Sequence, residues 1–337
     1  MRIKASDIIT EIGWGDADAH YWDDLDKQWL VKTWREMHYA AQAVAEFGKS
    51  WGAPRDDDSH SALVEAGTLG KFMSVGAKPG ETAAWEWHQN IITIRSEAPN
   101  GTDVRADVNL NGRTLEAVIS DVRAAAERLI GPARQPSKPA PDLPDHPVGQ
   151  GEIFDAVRKE LDPEAWHGPF QATVTLADLY HGTVAQLKYL QHVFADVVRD
   201  GAHEAVPRVW PHHFDLASLF VLERDSDGEM TKTVGIGLTP PDDVSPWGYW
   251  YVSPWASSDA ANDFSKADLS HGRWHERGSM PMAILPVEDF MADCHDPDDD
   301  TEASRHHGRV PFFQSCMVAE FIADAWNACF AALRPQK

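Results

Sequence analysis

The chain has 337 residues, and its 53 acidic side chains outnumber the 30 basic ones to give a formal net charge of −23. This charge disfavours proteins that bind nucleic-acid phosphates or anionic lipid, so we expect neither nucleic acid nor a membrane as a partner. Apolar residues make up 43% of the chain, which is enough to bury a core and excludes global disorder.

The sequence predicts a cytoplasmic protein. No apolar run approaches the ~18–20 residues that span a bilayer. Asp7 and Glu11 lie where a signal peptide would be apolar. The three cysteines include no CxxC pair, which disfavours a disulfide framework or a structural zinc site and favours a reducing compartment.

Two amphipathic helices are predicted at residues 33–50 and 175–199, where apolar side chains recur every three or four positions. Each begins with a threonine, Thr33 or Thr175, three residues before a carboxylate. This is the spacing of an N-cap followed by the acid of a capping box, so both threonines are predicted to cap their helices.

Strand-like segments follow each helix. After the first helix the predicted strands are residues 61–66, 71–75, 84–88, 91–95 and 104–110. After the second they are residues 209–222, 233–238, 248–253 and 282–285. A further helix closes each half, at residues 115–129 and 312–333. The order of helix, antiparallel strands and helix therefore occurs twice and predicts an α+β fold with internal duplication.

A proline-rich stretch at residues 131–150 separates the two halves. Such a segment cannot continue a helix or a central strand and is typical of an extended linker. The predicted domains are a first α+β repeat with an N-terminal extension at 1–130 and a second α+β repeat at 151–337.

Three segments carry a family resemblance. They are Thr33-Trp34-Arg35-Glu36-Met37-His38 with Gly48-Lys49, then Trp210-Pro211-His212-His213-Phe214-Asp215-Leu216-Ala217, and Tyr249-Trp250-Tyr251-Val252-Ser253-Pro254-Trp255. Over roughly residues 30–333 the chain resembles the uncharacterised bacterial family catalogued as domain of unknown function 5996. The family pattern separates His-Phe from Phe-Asp-Leu-Ala by a few residues, whereas here they run together. The resemblance implies membership and no particular activity.

The segment from Trp210 onward supplies the first candidate site. If residues 209–222 form one strand, His213 and Asp215 share a face with their side chains roughly 7 Å apart. Two such groups suit a catalytic pair flanking a substrate, or two ligands of a zinc, iron or manganese ion. The alternative is a structural pair, in which each side chain is satisfied by hydrogen bonds to the protein.

A similar pattern occurs at Trp85-Glu86-Trp87-His88, where strand alternation predicts that Glu86 and His88 share a face. If the two halves pack about a pseudo-twofold axis, a divalent transition metal would be held by Glu86, His88, His213 and Asp215. The alternative is an ordinary polar face of a half-buried strand.

Aromatic side chains supply the third candidate. Strand alternation places Trp247, Tyr249, Tyr251 and Trp255 on one face, where they would stack a sugar, a heterocycle or a cation. With Trp210, the last three form the predicted substrate-binding set. The alternative is that these rings belong to the core.

His38 is the last candidate, because it lies on the rim of the apolar stripe of the first helix. An inward imidazole would serve as a catalytic proton shuttle, or would be a buried and hydrogen-bonded structural residue. Its counterpart in the second half is Tyr180.

These patterns together favour a small-molecule enzyme with a His and carboxylate site, using water-dependent and metal-assisted chemistry beside an aromatic-lined cleft. The alternatives are a non-catalytic binding or regulatory protein with an aromatic recognition face, and a homo-oligomer in which that face is the subunit contact. The chain contains no GxGxxG loop after a strand, no Walker loop and no GxSxG elbow, which disfavours the usual nucleotide sites and α/β-hydrolase chemistry.

Overall fold

The computed structural model describes residues 2–5, 8, 27–55, 57–67, 70–98, 101–135, 169–194, 205–257, 267–276, 281–292 and 309–333. The fold is α+β, as predicted, with antiparallel sheets and long helices. The chain forms two compact units. The five-stranded unit comprises Asp24–Asp178 and Arg208–Asp215, and the C-terminal unit comprises Met1–Asp23, Leu179–Pro207 and Leu216–Lys337.

The five-stranded unit is an antiparallel meander with two helices packed against it. Its strands lie in the order β1 to β5, formed by Val64–Glu65, Lys71–Val75, Thr82–Glu86, Ile91–Glu97 and Asp103–Asn109. The helices, which also pack on each other, are α1, Lys27–Trp51, and α2, Leu115–Ile130. A short strand β6, Arg208–Trp210, completes this unit. Its core is rich in large rings, among them Trp34, Phe47, Trp51, Phe72, Trp85 and Trp87.

The helix boundaries show where local capping operates. Thr114 caps α2, because its side chain accepts a hydrogen bond from the Ala117 N–H at 3.3 Å. The predicted caps at Thr33 and Thr175 are wrong, since both residues are buried inside longer helices. The second of these helices, α3, begins at Pro169, whose fixed φ suits the first helical position.

The C-terminal unit holds a second antiparallel sheet. Its strands are β7 to β11, formed by Asp215–Arg224, Met230–Thr239, Tyr249–Ala256, Arg273–His275 and Met282–Pro286. They lie in the order β10-β11-β9-β8-β7, so this sheet is not the simple meander of the other unit. The helices are α3, Pro169–Val193, of which residues from Leu179 belong here, α4, Val287–Ala292, and α5, Arg309–Leu333.

Aromatic stacking closes the core of the C-terminal unit. Trp326 of α5 stacks on Phe194 with ring centroids 4.0 Å apart, and Phe220 of β7 meets Trp326 edge-on at 5.6 Å. The stretch Cys316–Leu333 of α5 is the one helical segment among the described residues that is long and apolar enough to cross a membrane. Most of it is buried inside the protein, and the core helix of a soluble protein has the same character.

Two predicted strands are shorter than expected. Residues 209–222 do not form one strand, because β6 ends at Trp210 and β7 begins only at Asp215. The predicted strand 84–88 ends at Glu86, and a turn follows. The duplication stays a prediction, and of the predicted 131–150 linker only residues 131–135 lie within the described part of the chain.

Candidate functional site

A tight turn, which we call the histidine turn, joins β6 to β7 at residues 210–215. The Phe214 N–H donates to the Trp210 carbonyl at 2.7 Å, which closes a single helical turn. Phe214 has a φ of 59°, in the left-handed region that bulky side chains rarely adopt. Such a conformation costs about 1–3 kcal/mol and persists only where the surrounding structure enforces it.

Aromatic packing enforces this conformation. Phe214 is completely buried, and its ring lies nearly parallel to that of His38 with centroids 5.7 Å apart. The rings of Trp85 and Trp87 are 6.4 and 6.2 Å from it. Burial of a phenylalanine side chain contributes about 1.5–3 kcal/mol, which offsets the strain in the backbone.

Two side chains of α1 hold the Pro211 carbonyl. His38 Nε2 donates to this oxygen at 2.9 Å, and Gln42 Nε2 donates to the same atom. A carbonyl only accepts, so His38 carries a proton on Nε2. His38 is 2% exposed, which confirms the buried, hydrogen-bonded interpretation of this residue. Its predicted role as a proton shuttle stays a prediction.

The histidine turn presents two imidazoles to solvent. His212 and His213 are exposed, whereas Pro211 and Phe214 on either side of them are buried. Successive side chains of a helical turn fan out around its axis instead of alternating between two faces. The prediction that His213 and the half-buried Asp215 share one face of a continuous strand is therefore wrong.

A loop at residues 57–63 lies beside the histidine turn. Leu63 and Val209 exchange backbone hydrogen bonds of 2.9 and 2.8 Å, which join the end of the loop to β6. The loop also lies directly against α1 at Gly48, where a Cβ would overlap the carbonyl oxygen of His60. Glycine at this position is what permits the close approach.

Charges from the loop and from α1 act on His212. Its pKa is lowered mainly because the ring, although the residue is exposed, loses part of its hydration among neighbouring atoms. The positive charges of Lys49 and His213 lower it further, and the carboxylates of Asp58 and Asp215 act in the opposite direction. His212 is therefore neutral at physiological pH, the state in which an imidazole accepts a proton.

The predicted metal ligands of the first half are placed differently from expectation. Glu86 pairs with Lys71, with Oε1 2.6 Å from Nζ. His88 lies in the turn after β3, so its predicted strand face in common with Glu86 is wrong. Within the described ranges, no group of three or more His, Cys, Asp or Glu side chains could hold a metal ion. The four predicted metal ligands, Glu86, His88, His213 and Asp215, therefore do not form such a group.

The predicted aromatic set is divided between the units. Tyr249, Tyr251 and Trp255 lie on β9 of the C-terminal unit, whereas the half-buried Trp210 ends β6 of the five-stranded unit. Tyr249 is buried, and its hydroxyl donates to Asp242 Oδ2 at 2.8 Å. Tyr251 is half-buried, and Trp255 is 48% exposed. Trp255 is thus the ring most open to a ligand.

Sequence reasoning missed four residues of the site. His212 was not predicted because strand alternation placed it on the face opposite His213 and Asp215. Gln42 carried a usable signal, because it lies four positions after His38 and therefore on the same side of a helix. Lys49 and Asp58 carried none, since only the folded chain brings them near His212. Comparisons of the chain with protein-family models, with curated proteins and with solved structures found no match.

Proposed function

We propose that the protein is a small-molecule enzyme whose water-dependent chemistry takes place at the histidine turn. The observation that carries the proposal is the construction of this turn. A strained Phe214, a buried aromatic cluster and two buried donors to the Pro211 carbonyl together fix a loop whose exposed side chains are two imidazoles. Costly local structure that holds titratable groups in solvent is typical of functional sites.

The neutral His212 imidazole would act as the general base that removes a proton from water or from the substrate. Lys49 would attract the negative charge that develops on the substrate as the proton leaves. His213 and Asp215, the catalytic pair that we favoured from the sequence, would bind the substrate or return the proton.

A turnover screen tests the proposal. The purified protein is incubated with an extract of small metabolites, and substrate loss is followed by mass spectrometry. We expect His212→Gln to slow turnover by about 10²–10⁴-fold, the usual contribution of a general base. The matched control is His275→Gln in β10 of the C-terminal unit, which should retain full activity. Unchanged turnover in both His212→Gln and His213→Gln would contradict the proposal.

The metal-assisted form of this chemistry has its own test. Because the described residues contain no group of three or more metal-ligating side chains, we expect elemental analysis of protein purified without chelators to show no stoichiometric divalent transition metal, so that the imidazoles act alone. A metal that is present in the native protein and absent from His213→Ala would instead support the metal-assisted form.

A second candidate function is non-catalytic ligand binding through Trp255. The exposed indole lies directly opposite Thr233 of β8 and on the same face of β9 as Tyr251, whose ring lies over Gly235 and Gly237. Such a surface suits a flat or cationic ligand in a protein of this negative charge. Under this function Trp255→Ala would weaken binding more than His213→Ala does, as measured by tryptophan fluorescence.

We also propose membership of the family catalogued as domain of unknown function 5996 and a cytoplasmic location. Two of the three segments that carry the resemblance, the start of α1 with His38 and the histidine turn, contribute to the same site. The location is supported by Cys316 and Cys329, whose side chains are free thiols.

A further inference from the structure

We infer that His38 and Gln42 are positioning residues, which hold the His212 backbone in place through the Pro211 carbonyl. This inference rests on the proposed function, because positioning matters only if the histidine turn is the site. Neither residue contacts solvent to a useful extent, since each is 2% exposed. Their effect must therefore pass through the turn.

The two donors converge on one atom. His38 and Gln42 are one helical turn apart on α1, and both direct an N–H at the carbonyl of the residue that precedes His212. Because the peptide group is planar, fixing this oxygen also fixes the plane that carries the His212 nitrogen. The two buried side chains of α1 thereby help to fix the backbone from which the His212 side chain extends.

Holding the Gln42 amide in this orientation costs free energy. The Gln42 Oε1 atom is buried and has no hydrogen-bond partner among the described residues. An unsatisfied buried acceptor is unfavourable, so the amide is held in this orientation by what its nitrogen does at Pro211. A leucine or methionine would fill a similar space without leaving an acceptor unsatisfied, but it would not supply the N–H that donates to the Pro211 carbonyl.

His38 contributes a second constraint through its ring. The imidazole stacks on Phe214 at an interplanar angle of 12° and on Tyr39 at 21°. One side chain thus contacts the histidine turn at its first buried residue, Pro211, and at its last, Phe214. The exposed pair His212 and His213 lies between these two fixed points.

The test measures the backbone order of His212 by NMR relaxation of its amide, independently of any turnover. His38→Phe keeps the stacking but loses the donor, whereas His38→Gln keeps a donor of similar reach and loses the stacking. Gln42→Leu removes the second donor at nearly constant volume. We expect the order parameter of the His212 amide to fall from the rigid value of about 0.85 to below about 0.6 in His38→Phe and Gln42→Leu, and to stay near the rigid value in His38→Gln.

The outcomes separate this inference from the proposed function. A His212 order parameter that is unchanged in folded His38→Phe and Gln42→Leu overturns the positioning role, as does one that falls equally in His38→Gln. Loss of the folded state in both donor-deleted variants assigns the pair to stability alone and also overturns it. Failure of the turnover screen, in contrast, concerns the proposed function and leaves these order parameters unaffected.

Discussion

The histidine turn combines a strained backbone at Phe214 with a lowered pKa at His212. Among the described residues, the non-glycine positions with positive φ are Asp58, Asn90 and Phe214. Asparagine and aspartate tolerate this region, but phenylalanine does so only because its ring is buried. Asp58 and Phe214 belong to the two loops that meet at His212. Unusual backbone geometry and a displaced pKa thus coincide at one place, which is the pattern expected of a functional site.

Opposite charge changes should move the His212 titration in opposite directions. Lys49→Gln removes a positive charge that disfavours the protonated ring, so we expect the pKa of His212 to rise. Asp58→Asn removes a negative charge that favours protonation, so we expect the pKa to fall, and asparagine accepts the φ of 56° at this position. Imidazole NMR titration at low salt measures both.

The same titration affects stability with a definite sign. Because the pKa of His212 is lowered in the folded state, the unfolded chain binds the proton more readily. His212 therefore disfavours folding only as the pH falls through the ordinary histidine pKa of about 6.5.

The two charge variants also have an outcome that would contradict their prediction. If the pKa of His212 shifts in the same direction in Lys49→Gln and in Asp58→Asn, burial alone, and not these two charges, controls that pKa.

At the scale of elements, periodic patterns predicted most of the fold. The strands 71–75, 91–95 and 104–110 and the helices around them were predictable because alternation and three-to-four spacing report local burial. The break between β6 and β7 was not, since residues 209–222 continue to alternate as a strand would. Phe214 supplies the reason, because its turn depends on rings from α1 and β3 that are remote in sequence.

The same limit applies to the site. His213 and Asp215 were predictable as polar residues in an apolar setting, but their relative orientation depended on a strand that does not exist. The assignment of His38 to the interior succeeded because it needed only helical periodicity. The influence of Lys49 on His212 required tertiary contacts, which no local pattern in a single sequence encodes.

An ion pair anchors the chain that follows α2 to the end of α1. Arg134 donates to Glu81 through both terminal nitrogens, at 2.6 and 2.7 Å, and to the Trp51 carbonyl at 2.6 Å. The Trp51 indole N–H in turn donates to the Gly131 carbonyl at 3.0 Å. The first residues of the predicted linker therefore belong to the packed five-stranded unit, and α1 is capped at its carboxyl end by a cation.

Removal of this cation should destabilise the five-stranded unit. Glu81 is only 5% exposed, and Arg134→Met leaves its buried carboxylate with the charge of Lys78 alone. We expect a loss of roughly 2–3 kcal/mol in the free energy of unfolding at pH 7, less than for a fully buried pair because Arg134 is partly exposed. Urea denaturation measures the change. The matched control is Arg95→Met, whose exposed partner Asp103 lies 3.9 Å away and which should cost under about 0.5 kcal/mol.

The loss should depend on pH. Burial alone would raise the pKa of Glu81, but hydrogen bonds from Arg134 and from the Lys78 N–H, with the charge of Arg134, lower it overall. A lowered carboxyl pKa contributes stability above the unfolded value, and this contribution disappears as the pH falls through the folded value. The difference between native protein and Arg134→Met should therefore shrink below about pH 4. A difference that is constant down to pH 3 would mean that Arg134 acts by packing.

The whole molecule carries far more negative than positive charge, and this affects its stability and its association. With 53 acidic and 30 basic side chains, the folded chain repels itself and repels other copies. Self-association through an exposed residue such as Trp255 would have to overcome that repulsion, which makes a homo-oligomer most favourable at high ionic strength. Local pairs such as Lys71 with Glu86 relieve the repulsion only in part.

Added salt should stabilise the protein at pH 8. Salt screens repulsion between like charges, with a Debye length that shrinks from ~30 Å at 0.01 M to ~10 Å at 0.1 M. If screening supplies about 1 kcal/mol, the melting temperature of a chain of this length should rise by roughly 1–2 °C over this range, as measured by calorimetry. The control is the same series near the isoelectric point, where the net charge of −23 has been neutralised and the rise should vanish. A melting temperature that falls with salt at pH 8 would show that ion pairs such as Arg134 with Glu81 outweigh the net repulsion.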